Sequence, residues 1–153
     1  MSSGPHAKLA ELGLDLPEVV PPVASYVPAV QSGQHVYVSG QLPFAEGKLL
    51  ATGKVGAGIS AEQAKDLAQR CALNGLAVVD SLVGLENVVK VVKVTGFVAS
   101  APGFTGQPGV INGASDLFGT VFGEAGRHAR SAVGVAELPL DAPVEVELIV
   151  EVA

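Results

Sequence analysis

The stretch VEVELIVEV (144–152) alternates almost without a break, and it limits the fold more than any other part of the chain. Successive side chains of a strand point to opposite faces. Val144, Val146, Leu148, Val150 and Val152 therefore share one face, while Glu145, Glu147, Ile149 and Glu151 take the other. Such a strand needs a sheet with one face covered and the other polar. The cover has to come from elements with helical periodicity.

Two segments qualify. In residues 61–82, Ala64, Leu67, Ala68, Cys71, Ala72, Val79 and Leu82 recur at three- and four-residue spacing and predict one apolar helix face. Ser60 followed by Gln63 forms a capping-box pattern, and Gly84 is a C-terminal stop. In residues 110–122, Ile111, Ala114, Leu117, Phe118, Val121 and Phe122 form a second inner face, ended by Gly123 and Gly126. Between these helices lies NVVKVVKVTGFVAS (87–100), whose valine density predicts a long, mostly buried strand.

HVYVSGQLP (35–43) reads as a strand to about Ser39, preceded by a turn at Gly33. A second turn at Glu46-Gly47 lets KLLATG (48–53) pair beyond it. SYVPAV (25–30) is extended, and Pro28 favours a sheet edge or a bulge. Residues 1–24 form a leader with a short helix over 7–12, stopped by Gly13 and by the prolines at 17, 21 and 22. Residues 130–136 are the penultimate strand, separated from the last by the turn LPLDAP. The order is strands, helix, strand, helix, two strands. It predicts one α+β domain over 1–153: a two-layer mixed sheet with two main helices on one face.

Composition removes several function classes. Only 16% of the residues are charged and the net charge is −6, with nine Lys plus Arg in no basic stripe, which argues against a nucleic-acid partner. The longest apolar runs are interrupted by Lys90 and Lys93, or by Glu145, Glu147 and Glu151, so no membrane partner is expected. One cysteine, Cys71, excludes an internal disulfide and any multi-cysteine metal site, and it reads as an inert core residue. No basic region leads into a long apolar one at the start, which predicts a cytoplasmic protein. A small domain this apolar, with so few charges, is expected to hide surface in a homo-oligomer.

The chain has three arginines, and two of them, Arg127 and Arg130, flank His128 in GRHARSAVGV (126–135). Arg130, Ala132, Gly134 and Ala136 point one way from their strand, and Ser131, Val133 and Val135 the other. If the last two strands form a hairpin, Arg130 and one of the glutamates share a face, and the small residues beside Arg130 leave room for a partner subunit or a ligand. Two readings stay open from the residues alone. One is a solvated ion-pair network. The other is an arginine fork for a planar carboxylate with a carboxylate base nearby. Arg127 and His128 fall in the preceding turn and read as solvated, with a contact behind the site or at a subunit edge as the alternative.

VYVSGQLP, ALNGLAVVDSLVG, VVKVTGFV, NGASDLFGTVFG, ARSAVGVAELP and VEVELIV follow one another in the order seen in the Rid (RidA/YjgF) family, which the chain resembles over residues 23–153. The resemblance implies a chorismate-mutase-like fold and a homotrimer with clefts between subunits. It also implies hydrolysis of reactive enamines and imines, such as 2-aminoacrylate, to 2-keto acids and ammonia, without metal or organic cofactor. By position, Arg130 matches the arginine that grips the substrate carboxylate, and Glu145 the acid that positions the attacking water. Tyr26, Ser39, Gly40 and Asn112 match residues lining the cleft. A non-catalytic carboxylate-binding module and an endoribonuclease or translation inhibitor are the alternatives within the same resemblance. The chain departs from the usual family pattern at His128, where a proline is common, and at Ala24-Ser25, where Gly-Pro precedes the tyrosine. Its leader and its long 103–119 segment mark a distinct branch.

Overall fold

The structure, a computed structural model, describes residues 4–19, 22 and 24–153. Of the leader, residues 1–3, 20, 21 and 23 therefore lie outside the described residues. The leader helix α1 is Pro5–Glu11, with proline in its first turn, where the missing N–H costs nothing. The chain leaves the helix through Gly13 at φ 73°, a left-handed conformation that glycine adopts freely. Leu9 is the buried anchor of α1. His6 ties the helix down from outside, with Nδ1 2.6 Å from Glu86 Oε2 and Nε2 3.0 Å from Asp80 Oδ1.

The main sheet is built from β1 (Ala29–Ser32), β2 (His35–Gln41), β5 (Val88–Ala99), β6 (Ala129–Val135) and β7 (Val144–Val152). Its spatial order is β1-β2-β7-β5-β6, with only β5 and β6 parallel. Pro28 stands just before β1 at the sheet edge, the position expected from its missing N–H. The Glu46-Gly47 turn joins the small hairpin of β3 (Phe44–Ala45) and β4 (Lys48–Leu49), so the predicted pairing beyond that turn exists but is short.

Two helices cover one face. α2 (Ala61–Val83) begins on Ser60, whose Oγ accepts the Gln63 N–H at 3.1 Å; this is one arm of the expected capping box, and the reciprocal arm is absent. The buried face of α2 ends at Val79, and Leu82, expected on it, is 48% exposed. α3 (Gln107–Phe122) starts three residues before the predicted position because Pro108 fits within its first turn. The helices pack closely where Gly113 meets the Lys65 backbone carbonyl, a space any side chain would fill. Beneath them Val94, Val98, Val146, Leu148 and Val150 form the floor of the core, and Cys71 is buried among them.

The last two strands do not form a hairpin. β5 lies between β6 and β7, pairing with β6 in parallel and with β7 antiparallel. The physical reason lies in the connections. α3 makes the crossover that a parallel β5–β6 pair requires. Residues 136–143, with a turn at Pro139–Asp141 in which Leu140 and Asp141 take left-handed φ near 60°, are too many for a tight hairpin and carry the chain past the end of β5.

Candidate functional site

Register decides which side chains can meet. Arg130 pairs with Val94 and Val94 with Leu148, both buried, so Arg130 lies on the helix-covered side at the sheet edge. Glu145 pairs with Phe97, and Phe97 with Val133, on the helix-free face. Within one chain, Arg130 and Glu145 therefore occupy opposite faces with β5 between their strands, which corrects the expectation of a shared face. The space beside Arg130 is also filled from within. Ala132 packs on the core, and a Cβ at Gly134 would meet Gln107 Nε2 at 2.7 Å and Ser100 Oγ at 2.9 Å.

The sequence-predicted residues instead fall into two clusters. The first is built by β2 and β7. Their register shifts between Val38 and Gln41, a bulge that inserts an extra residue and re-aims the strand. Ser39 sits in that bulge, donating its hydroxyl to Val27 O at 2.7 Å and its N–H to Pro28 O at 2.8 Å. Those two bonds fix the segment bearing Tyr26, a residue that is 45% exposed. Gly40 has no side chain because the Glu145 carboxylate lies in the space a Cβ would take. Burial, assisted by the charge of Glu147, pushes the Glu145 carboxyl above its ordinary value of 4.5.

The second cluster is built by α3 and the start of β6. Pro108, Asn112 and Ser115 follow at spacings of four and three and so share one helix face. That face presents three oxygens to Arg130. Nη1 donates to Asn112 Oδ1 at 2.8 Å and to Ser115 Oγ at 3.2 Å, and Nη2 to Pro108 O at 3.4 Å. No carboxylate among the described residues lies within ion-pair distance of Arg130, so its charge is held in place but not neutralised.

His128 belongs to this cluster, so of the two states expected for it the structure shows the contact behind the site and not the solvated one. It is half-buried, edge-on to Phe118 with ring centroids 5.9 Å apart, and its Nε2 is 2.9 Å from Ser115 Oγ. Ser115 was not singled out from the sequence at all. A signal for both residues is present, because His128 lies two residues from Arg130 and Ser115 three residues from Asn112, which are the same-face periods of a strand and a helix. Arg127 behaves as expected: it is 78% exposed and makes a long ion pair of 3.8 Å to Glu124. Cys71 is fully buried, and desolvation pushes its thiol well above the ordinary range, as suits a core residue.

A cavity of about 580 Å³ lies elsewhere, between the leader around Leu16, the β3–β4 turn and Arg70 and Asn74 of α2. None of the sequence-predicted site residues lines it. Among the described residues no group of three or more His, Cys, Asp or Glu is placed to hold a metal, and no helix is long and apolar enough to cross a membrane.

The model of a family described as Endoribonuclease L-PSP matches residues 17–152, nearly the whole chain. Protein TCP17 of Trypanosoma cruzi is 46% identical over 95% of this chain and 92% of its own length. A 2-iminobutanoate/2-iminopropanoate deaminase of Dermatophagoides farinae is 36% identical over 84% of this chain and 87% of its own. A crystal structure of a protein of unknown function from Agrobacterium tumefaciens superposes with a TM-score of 0.92 at 48% identity, covering 97% of this chain and 92% of that one. The two-layer architecture is that of the YjgF-type structures, the chorismate-mutase-like fold expected from the motifs.

Proposed function

Because the chain belongs to the endoribonuclease L-PSP (YjgF/RidA) family, we propose that it hydrolyses small carboxylate-bearing enamines and imines to 2-keto acids and ammonia. The observation that carries this reading is Arg130, an unneutralised guanidinium gripped by three oxygens of α3 in a chain of net charge −6. Its Nε–H has no acceptor among the described residues, and Nε lies on the same guanidinium edge as Nη2. That edge suits a planar carboxylate, which takes two parallel hydrogen bonds from an arginine.

The two clusters supply complementary halves of one site. Arg130, with Asn112 beside it, anchors the substrate carboxylate. Glu145, with Gly40, Ser39 and Tyr26, faces the imine carbon from a neighbouring copy, because the same chain's Glu145 is on the other face of its sheet. An enamine first tautomerises to its imine, R–C(=NH)–COO⁻. Glu145 takes a proton from water as the oxygen bonds to the imine carbon and passes it to the imine nitrogen, giving the carbinolamine R–C(OH)(NH₂)–COO⁻. The same carboxylate then takes the hydroxyl proton and delivers it to the amine, so that ammonia leaves as the carbonyl of R–C(=O)–COO⁻ forms. A carboxyl raised above its ordinary value is better matched to both proton transfers.

A homotrimer with its sites between subunits supplies the neighbouring copy. Its contact surface is the helix-free sheet face, where Val30, Tyr37 and Val133 are 52%, 47% and 43% exposed. We place the protein in the cytoplasm and assign it no nucleic-acid partner, the latter from its net charge. The experiment generates 2-aminoacrylate in situ and follows pyruvate release above the rate in buffer. Wild type accelerates release and Arg130→Ala abolishes the acceleration. Saturable pyruvate binding without acceleration would leave a non-catalytic binding module instead.

A further inference from the structure

We infer that Ser115 and His128 are a positioning relay that fixes the Arg130 guanidinium and selects the edge it offers to a carboxylate; the second half of this rests on the reading of Arg130 given above. His128 Nδ1 is 2.6 Å from Gly126 O. A carbonyl oxygen only accepts, so Nδ1 carries the hydrogen, and in the neutral ring Nε2 is the acceptor. Ser115 Oγ, 2.9 Å from Nε2, therefore donates its hydroxyl hydrogen to the imidazole. The Oγ lone pairs are then turned toward Arg130 Nη1 at 3.2 Å. Every bond in the chain has one direction: guanidinium to hydroxyl, hydroxyl to imidazole, imidazole to backbone carbonyl. Bonds aligned in this way polarise and strengthen one another.

The relay has a geometric consequence. With Asn112 Oδ1 taking the second hydrogen of Nη1, that nitrogen is fully used. The guanidinium cannot rotate its Nη1 edge outward without breaking both bonds, so the Nε edge remains for a ligand. The ring of His128 is itself held edge-on by Phe118, which keeps the acceptor aimed at Ser115. A nucleophilic or acid–base role for the pair is not needed: both side chains act through Arg130.

The test reads Arg130 directly. The chain has only three arginines, so the guanidinium ¹⁵Nη–Hη spectrum contains three sets of signals, and Arg130→Lys assigns the set that includes the Nη1 hydrogens held by Asn112 and Ser115. Ser115→Ala and His128→Ala are each expected to speed Arg130 guanidinium hydrogen exchange about tenfold, and the double variant no further than either single. Ser115→Thr, which keeps the oxygen, restores the slow exchange, and Arg70 is unaffected throughout. In turnover the two single alanine variants raise KM about tenfold with kcat unchanged, and Ser115→Thr keeps the wild-type KM. Arg130 exchange that stays at the wild-type rate in both alanine variants overturns the relay. Faster exchange in a protein that neither binds pyruvate nor turns over 2-aminoacrylate upholds the relay and overturns the carboxylate-anchor reading instead.

Discussion

Replacing Gly40 with alanine separates the chemistry of the site from the stability of the fold. The new Cβ lands on the Glu145 side chain, 2.8 Å from its Cδ and 3.1 Å from its Cγ, and closer still to Oε2. Carbon atoms settle at about 3.5–4.0 Å, so the carboxylate has to move by on the order of 1 Å. The backbone itself has no objection, because Gly40 is not among the residues at positive φ. Alanine also narrows the unfolded ensemble, which stabilises by about 0.4–1 kcal/mol where the native backbone tolerates it. That gain offsets part of the cost of moving a half-buried side chain. Gly40→Ala should therefore unfold close to wild type in a thermal melt. A catalytic base displaced by about 1 Å loses on the order of 10²-fold in rate. Pyruvate release from 2-aminoacrylate at saturating substrate provides the assay. A variant that melts like wild type and keeps kcat within about threefold would refute the placement of Glu145 as the base over Gly40.

Other perturbations test separate parts of the structure. Glu145→Gln removes a carboxyl whose folded-state value is raised, and such a group contributes least to stability above that value; the variant should melt higher than wild type at pH 8, with the advantage disappearing below about pH 4.5 while activity is lost. His6 is raised above 6.5, chiefly by its hydrogen bond to Glu86, so its contribution to holding α1 is complete below 6.5 and lost as pH rises through the raised value; hydrogen exchange of the α1 amides should accelerate across that window in wild type and show no such step in His6→Gln. Gly113→Ala forces a methyl against the Lys65 carbonyl and should cost about 1–3 kcal/mol in denaturant unfolding, since helix backbones have to separate.

Much of the fold was legible because its signals are local. The alternation of 144–152 marks β7 with its buried face correctly, and the spacing of Ala64, Leu67, Ala68, Cys71 and Ala72 marks the inner side of α2. Pairing order is not local. Nothing in ARSAVGV or VEVELIVEV says that β5 will lie between them; that follows from α3 acting as a crossover and from a connection of eight residues, 136–143. A shared face for Arg130 and Glu145 within one chain depends on a hairpin of the last two strands and falls with it, since a face can be assigned only after the partner strand is known. Gly40 and Glu145 come together through a bulge, a one-residue irregularity that leaves no periodic trace. Ser115 went unmarked because its role depends on an orientation across two elements, and the same orientation decides that His128 stands behind Arg130 and not in solvent.

The division of the site between two copies is the central claim, and mixing inactive subunits tests it most directly. Arg130→Ala and Glu145→Gln chains, each inactive alone, are unfolded together and refolded at equal ratio. If each site joins Arg130 of one chain to Glu145 of the next, random assembly restores both groups in about one quarter of the sites. Activity should then return to about that fraction of wild type, with unchanged KM. A refolded mixture of the same size as the wild-type oligomer that remains inactive would contradict the shared site.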